Sequence, residues 1–182
     1  MPKMPKATPL SSTELDLLAR AALHNAVELL ADAKTLFDAR RWPRAYALAV
    51  LSGEEFGKFE SCRTAAGYDS DDHDAWTKFW EDFKAHKPKF TSLARKLIAS
   101  MDSWPPGAYR NEQMLEAWKR ASEGRHRMAK AGIDGKMAAL YVDYVDGKLS
   151  IPSKVVDMHV ALNMVNAVTR VVEQAAANIS TE

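Results

Sequence analysis

The 182-residue chain holds a single cysteine, Cys62, so it cannot close an internal disulfide or build a thiolate metal cage. A reducing compartment suits such a chain, and the expected location is cytoplasmic. No run of about 18 apolar residues is present to span a bilayer, and no membrane association is expected. The opening Met1-Pro2-Lys3-Met4-Pro5-Lys6 lacks the apolar core of a signal peptide. Neither sign of charge dominates: 25 basic residues face 24 acidic ones, for a formal charge of +1. Bulk charge therefore does not announce a nucleic-acid partner, and any basic site must be local.

Several catalytic signatures are missing as well. No glycine-rich phosphate loop leads into a helix, which argues against a nucleotide-dependent enzyme. No Gly-x-Ser-x-Gly elbow occurs, and Cys62 has no evident histidine partner. The five histidines are scattered without a His-x-x-x-His pair, and Asp71-Asp72-His73-Asp74 reads as a helix cap. Neither a metal nor a cofactor is expected.

What is present is helical periodicity. Residues 1–10 carry three prolines and read as a loose tail, leaving 11–182 as one domain. Ser11-x-x-Glu14 has the form of a capping box, in which each side chain satisfies the other residue's free backbone donor. Leu15, Leu18, Ala22, Leu29, Ala33 and Phe37 then recur on one helical face. Arg40-Arg41-Trp42 makes a turn, and Pro43 suits the start of a second helix running from Ala45 to about Arg63. Its short residues (Ala45, Ala47, Ala49, Gly53, Gly57) invite a close neighbour. A third helix carries Trp76, Phe79, Trp80 and Phe83, then Phe90, Leu93, Leu97, Ile98 and Met101, with Pro88 expected to kink or split it.

Trp104-Pro105-Pro106-Gly107 is a breaker, and a shorter helix is expected from about Asn111. Residues 136–146 admit two readings, a strand-like loop or a short helix running into a loop, with no second strand evident. The last helix is expected to start after Pro152 and run to about Asn178. Val155, Val156, Met158, Val160, Leu162, Met164, Val165, Val168, Val171 and Val172 make it apolar nearly all round, a pattern that belongs at the centre of a bundle.

Two polar groups interrupt these apolar faces. Lys58 follows Glu54 by four residues and Glu55 by three, so all three share one helical surface. On spacing alone that is a solvated ion pair; beside the apolar stretch Ala45–Leu51 it becomes a partly buried acid–base cluster. His86 falls three residues after Phe83, on the apolar side of its helix. Either it is a core histidine with one hydrogen-bond partner, or it faces Glu54 or Glu55 across packed helices as a tunable acid–base group. Lys87 and Lys89 beside it suit a phosphate. Arg120 and His126 have an Arg–His spacing that chance alone supplies about once in a chain of this composition, and the basic run around them reads equally as a solvated helix end.

In ordered combination, these pieces resemble the AbiV-type abortive-infection proteins, a branch of the HEPN helical superfamily. The resemblance is carried by Asn25-Ala-x-x-Leu-Leu-x-Asp32-Ala, Arg44-Ala-Tyr-Ala-Leu-Ala and Glu54-Glu55-x-Gly57-Lys58. Phe79-Trp80-x-x-Phe83, His86-x-x-Lys89, Lys136 before Leu140-Tyr141-Val142-Asp143, and Gly147-Lys148 with Pro152 complete it. It implies an all-α, HEPN-like bundle of about five main helices, with a short irregular or extended segment before the last. It also implies a phage-defence role and a relation to RNA-acting toxins, many of which are metal-independent ribonucleases with an Arg–His site at a homodimer interface. In this chain the last helix carries His159 and Arg170 in the reverse order of that signature, and Arg120/His126 lies earlier.

The expected site is therefore the other polar set. Glu54, Glu55, Lys58, His86, Lys89 and Tyr141 are the catalytic candidates, and Lys87, Lys136 and Asp143 the substrate-binding ones. RNA cleavage needs a base for the 2′-hydroxyl, an acid for the leaving oxygen and a cation for the phosphorane charge. His86 suits the first two tasks, Lys58, Lys89 or Lys136 the third, and Tyr141 offers a hydrogen bond. RNA or the translation machinery is the expected target, in a homodimer. The alternative is a non-catalytic helical module that binds a phage, host or ribosomal protein.

Overall fold

The computed structural model describes residues 8–86, 89, 93, 134–145 and 147–179. Among the described residues the chain is all-α apart from one small hairpin. Helix α1 spans Ser12–Asp38, α2 Trp42–Ala65 and α3 His73–Lys84. Residues 134–140 form a helical segment, α4. Strands β1 (Asp143–Val145) and β2 (Lys148–Ser150) follow, then the short α5 (Pro152–Val155) and the long α6 (Met158–Ile179).

Local sequence chemistry starts these helices. The Ser11 backbone N–H donates to Glu14 Oε2 at 2.8 Å, and the Glu14 N–H donates to Ser11 Oγ at 3.3 Å, which completes the capping box. The turn after α1 passes through Arg40 at φ 58, a left-handed residue that lets α2 fold back within three residues. Pro43 sits in the first turn of α2, where a missing N–H costs nothing. Asp72 caps α3 by accepting from the Ala75 N–H at 2.9 Å.

The core lies where α1, α2 and α6 meet. Helix α1 contributes Leu15, Ala19, Ala22, Leu23, Ala26, Leu30 and Ala33, and α6 contributes Ala161, Val165, Val168, Val171 and Val172. Each buried Val or Leu contributes roughly 1.5–3 kcal/mol relative to exposure. Ser52 fixes the α1–α2 pairing with a buried hydrogen bond, its hydroxyl donating to the Ala26 carbonyl at 2.6 Å. Helix α3 closes one end with edge-to-face rings: Tyr68 on Trp76, Trp76 on Phe79 and Phe79 on Trp80.

Three expectations change. The last helix is not continuous from Pro152: α5 ends at Val155, Val156 is extended, and α6 begins after Asp157, whose carboxylate accepts from the Val160 N–H at 2.9 Å. An aspartate cap thus restarts the helix where the apolar run gave no sign of a break. Nor is that helix the central one. It buries one stripe, leaving Val155, Met158 and Val160 exposed, and among the described residues α2 is the most enclosed element. Alanine and glycine let neighbours surround α2, whereas the valines of α6 repeat at a spacing that fills only one face. Finally, 143–145 does find a strand partner. Lys148–Ser150 pairs with it antiparallel, Tyr144 opposite Leu149, across a turn in which Gly147 takes φ 76. Leu149 between Lys148 and Ser150 gave too short an alternation to stand out. The third helix does split before Pro88, α3 ending at the extended Ala85 and helical residues resuming at His86. The breaker at 104–107, the helix expected from Asn111, and Arg120 and His126 lie outside the described residues.

Candidate functional site

One turn past Val50, α2 changes character. Ser52, Gly53, Glu54, Phe56 and Gly57 are all buried there, so an ionisable carboxyl lies inside the protein. Glu54 is 3% exposed. Its carboxylate is fully used: Lys136 Nζ of α4 donates to Oε1 at 2.6 Å, and His86 Nδ1 meets Oε2 at 2.7 Å. The Lys136 side chain is as sealed as its partner, at 7% against 4%. His86 is different, with 59% of its side chain exposed. A carboxylate only accepts, so against Glu54 it is Nδ1 that donates, and Nε2 takes no part in this bond.

Glu55, the next residue, is tied locally. Lys58 Nζ donates to Glu55 Oε1 at 2.5 Å, one helical turn on, and the pair is only half-buried. The same ammonium lies 5.5 Å from the centre of the Phe83 ring, which joins α3 to the cluster by a cation–π contact.

Lys89 is the third ammonium. It is 5% exposed, and among the described residues it makes no hydrogen bond and no ion pair. Burial holds it below the ordinary lysine range, the nearby positive charges of Lys58 and Lys136 add to that, and Glu54 and Glu55 oppose it.

Glycines set these distances. A β-carbon at Gly57 would overlap the Lys89 backbone carbonyl, and one at Gly53 would overlap the Leu93 side chain. Lys89 and Leu93 thus rest directly on the α2 backbone. At Gly135 a β-carbon would stand 2.5 Å from the Tyr46 hydroxyl, so the residue before Lys136 must be bare for α4 to seat. Tyr46 is itself buried on α2, and burial pushes its phenol up. Gly135 and Tyr46 escaped the sequence reading; a glycine directly before a lysine was the available signal. Gly53 and Gly57 were legible as sites of close approach.

Of the expected site residues, Glu54, Glu55, Lys58, His86, Lys89 and Lys136 come together. Tyr141 and Asp143 stand apart: Tyr141 is exposed, and the Asp143 carboxylate accepts from the neighbouring Tyr144 N–H at 2.7 Å. Among the described residues neither bonds to the cluster. Lys87 lies outside the described residues. No group of three His, Cys, Asp or Glu side chains among the described residues is placed to hold a metal ion. No described helix is long and apolar enough to cross a membrane.

The described residues thus make a helical protein with a polar knot between its second helix and the segments that follow. The model of the AbiV family matches residues 14–173, and the chain belongs to that family. Membership gives it an abortive-infection role of the HEPN kind. No curated protein and no solved structure matches it.

Proposed function

We propose that this protein defends against phage by acting on RNA or the translation machinery, and that it does so as a metal-independent ribonuclease. The observation that carries the reading is His86, whose Nδ1 is held by a buried carboxylate while 59% of its side chain stays exposed. That arrangement fixes the tautomer and orientation of a group able to take or give a proton. Lys58, Lys89 and Lys136 supply the positive potential that a phosphorane needs. A homodimer that places two such clusters on one RNA fits the same reading.

A second reading draws support from the sealed Glu54–Lys136 pair. Two charges satisfied by one another inside a fold suit a structural pin, and the exposed Tyr141, Val142, Tyr144 and Leu149 then offer an apolar surface to a phage, host or ribosomal protein.

Expression in infected cells separates these readings when joined to an assay of pure protein on cellular RNA in EDTA. The nuclease reading expects reduced phage yield and RNA cleavage in EDTA, both lost in His86→Ala and Lys58→Ala while thermal unfolding stays cooperative. Intact RNA together with retained protection rejects the nuclease and leaves the binding module.

A further inference from the structure

The charges of the cluster do not balance. Three ammonium groups, those of Lys58, Lys89 and Lys136, share two carboxylates. Glu54 is taken by Lys136 and His86, and Glu55 by Lys58. Among the described residues Lys89 is the cation left over, and with Lys136 it is one of the two buried lysines there. A buried charge without a partner is costly, and proteins ordinarily pair it or neutralise it. Here the backbone forces the issue, because contact between Gly57 and the Lys89 carbonyl anchors the residue against α2 whatever its side chain does.

The residue is not completely walled in: 5% of its surface stays exposed. Glu54, close enough to act on the Lys89 charge, also holds the exposed His86.

We infer that Lys89 is the base of a subsite for one phosphoryl oxyanion, which completes the charge balance of the Glu54–Glu55–Lys58–Lys136 cluster. This rests on the ribonuclease reading for its biological ligand, an RNA phosphodiester, which carries one negative charge for the one left uncompensated. Free phosphate shares that chemistry. Lysine serves such anions as a point charge, and Lys89 comes to the site already largely stripped of water, so little desolvation remains for the complex to overcome. An anion seated there lies near Glu54, the carboxylate that holds the imidazole.

The test is thermal unfolding of the full chain in inorganic phosphate and in sodium chloride of equal ionic strength, for the natural protein, Lys89→Met and Lys89→Arg. Phosphate at about ten times its Kd should raise the midpoint of the natural protein by roughly 3–6 °C over chloride. Lys89→Met should unfold at a higher temperature than the natural protein in chloride, because the stranded charge is gone, and should gain nothing specific from phosphate. Lys89→Arg should keep the response. A natural protein indifferent to phosphate, a response that survives in Lys89→Met, or a Lys89→Met midpoint lowered equally in both salts would overturn the subsite. Titration with a short oligoribonucleotide, competed by phosphate, tells the two sources apart: competition assigns the site to RNA, and phosphate binding alone assigns it to the free anion. A phosphate response with uncleaved RNA sinks the nuclease reading and spares the subsite; cleavage without the response does the reverse.

Discussion

Glu54 and Glu55 are neighbours in the chain with unlike fates. Glu54 points inward and recruits partners 32 and 82 residues away, His86 and Lys136. Glu55 stays at the margin and bonds Lys58 three residues on, within its own helix. One turn of α2 therefore contains both a knot that ties distant segments together and an ion pair that any isolated helix could make. The difference is one of desolvation. Glu54 is surrounded by protein, so its bonds are strong and its loss strands a buried cation; Glu55 competes with water, so its bond is weak and its loss is absorbed.

Substitutions can widen or erase that contrast. The largest effect is expected from Glu54→Ala, which leaves Lys136 buried and unpaired at a cost of roughly 3–5 kcal/mol. At about 2–4 °C per kcal/mol for a chain of this size, the midpoint should fall by roughly 6–20 °C in a calorimeter. Adding Lys136→Met to Glu54→Leu should recover much of the loss, because two apolar groups replace the pair. A double variant no more stable than Glu54→Ala would show that the knot is more than two matched charges.

Gly135→Val comes next. Forcing a side chain onto the Tyr46 hydroxyl should cost about 1–3 kcal/mol and loosen α4, so the Lys136 contact weakens without any change of charge. Faster amide exchange over residues 134–140 would register it, and unchanged exchange would mean that α4 is held by other contacts.

The pH dependence separates Lys89 from both glutamates. Its folded-state basicity is lowered, so its charge destabilises the fold at neutral pH, and the penalty fades as pH rises through the depressed pKa toward the unfolded value near 10.5. The advantage of Lys89→Met over the natural protein should accordingly shrink between neutrality and pH 10. Cys62 and Tyr46, both raised by burial, lose stability in alkali, but they do so equally in the two proteins and cancel in the difference. An advantage constant with pH would trace it to packing. The smallest effect belongs to Glu55→Ala, at about 0.2–1 kcal/mol by thermal unfolding.

The same contrast explains what the sequence disclosed. Interactions closed within a turn were legible in the Ser11–Glu14 box, the Asp72 cap and the break near Pro88, whereas Lys58 pairs with Glu55 at i,i+3 rather than with Glu54 at i,i+4. Part of the membership of the polar cluster was legible, since two acids and a histidine sat beside apolar faces, but Tyr141 and Asp143, expected with them, stand apart. Its pairing was not. Nothing in residue spacing says that Glu54 rather than Glu55 takes His86, because one residue of helix is a turn of 100°, and which side faces inward depends on how α2 is surrounded. The restart of the last helix was hidden for a different reason: Asp157 was a visible cap, but a run of valines on both sides outweighed it.

Gly57 has a consequence for anyone who would transplant this cluster into another scaffold. A catalogue of reactive groups would carry across the glutamates, the lysines and the histidine, and the graft would be inert. The hydrogen atom on the Gly57 α-carbon is what allows one main chain to lie against another, and so fixes where the stem of Lys89 begins. Any larger group there shifts the whole lysine, not its tip, and a flexible side chain cannot swing back to compensate because its own root has moved. The residue with no side chain is thus part of the blueprint, and a graft without it inherits the chemistry but not the dimensions.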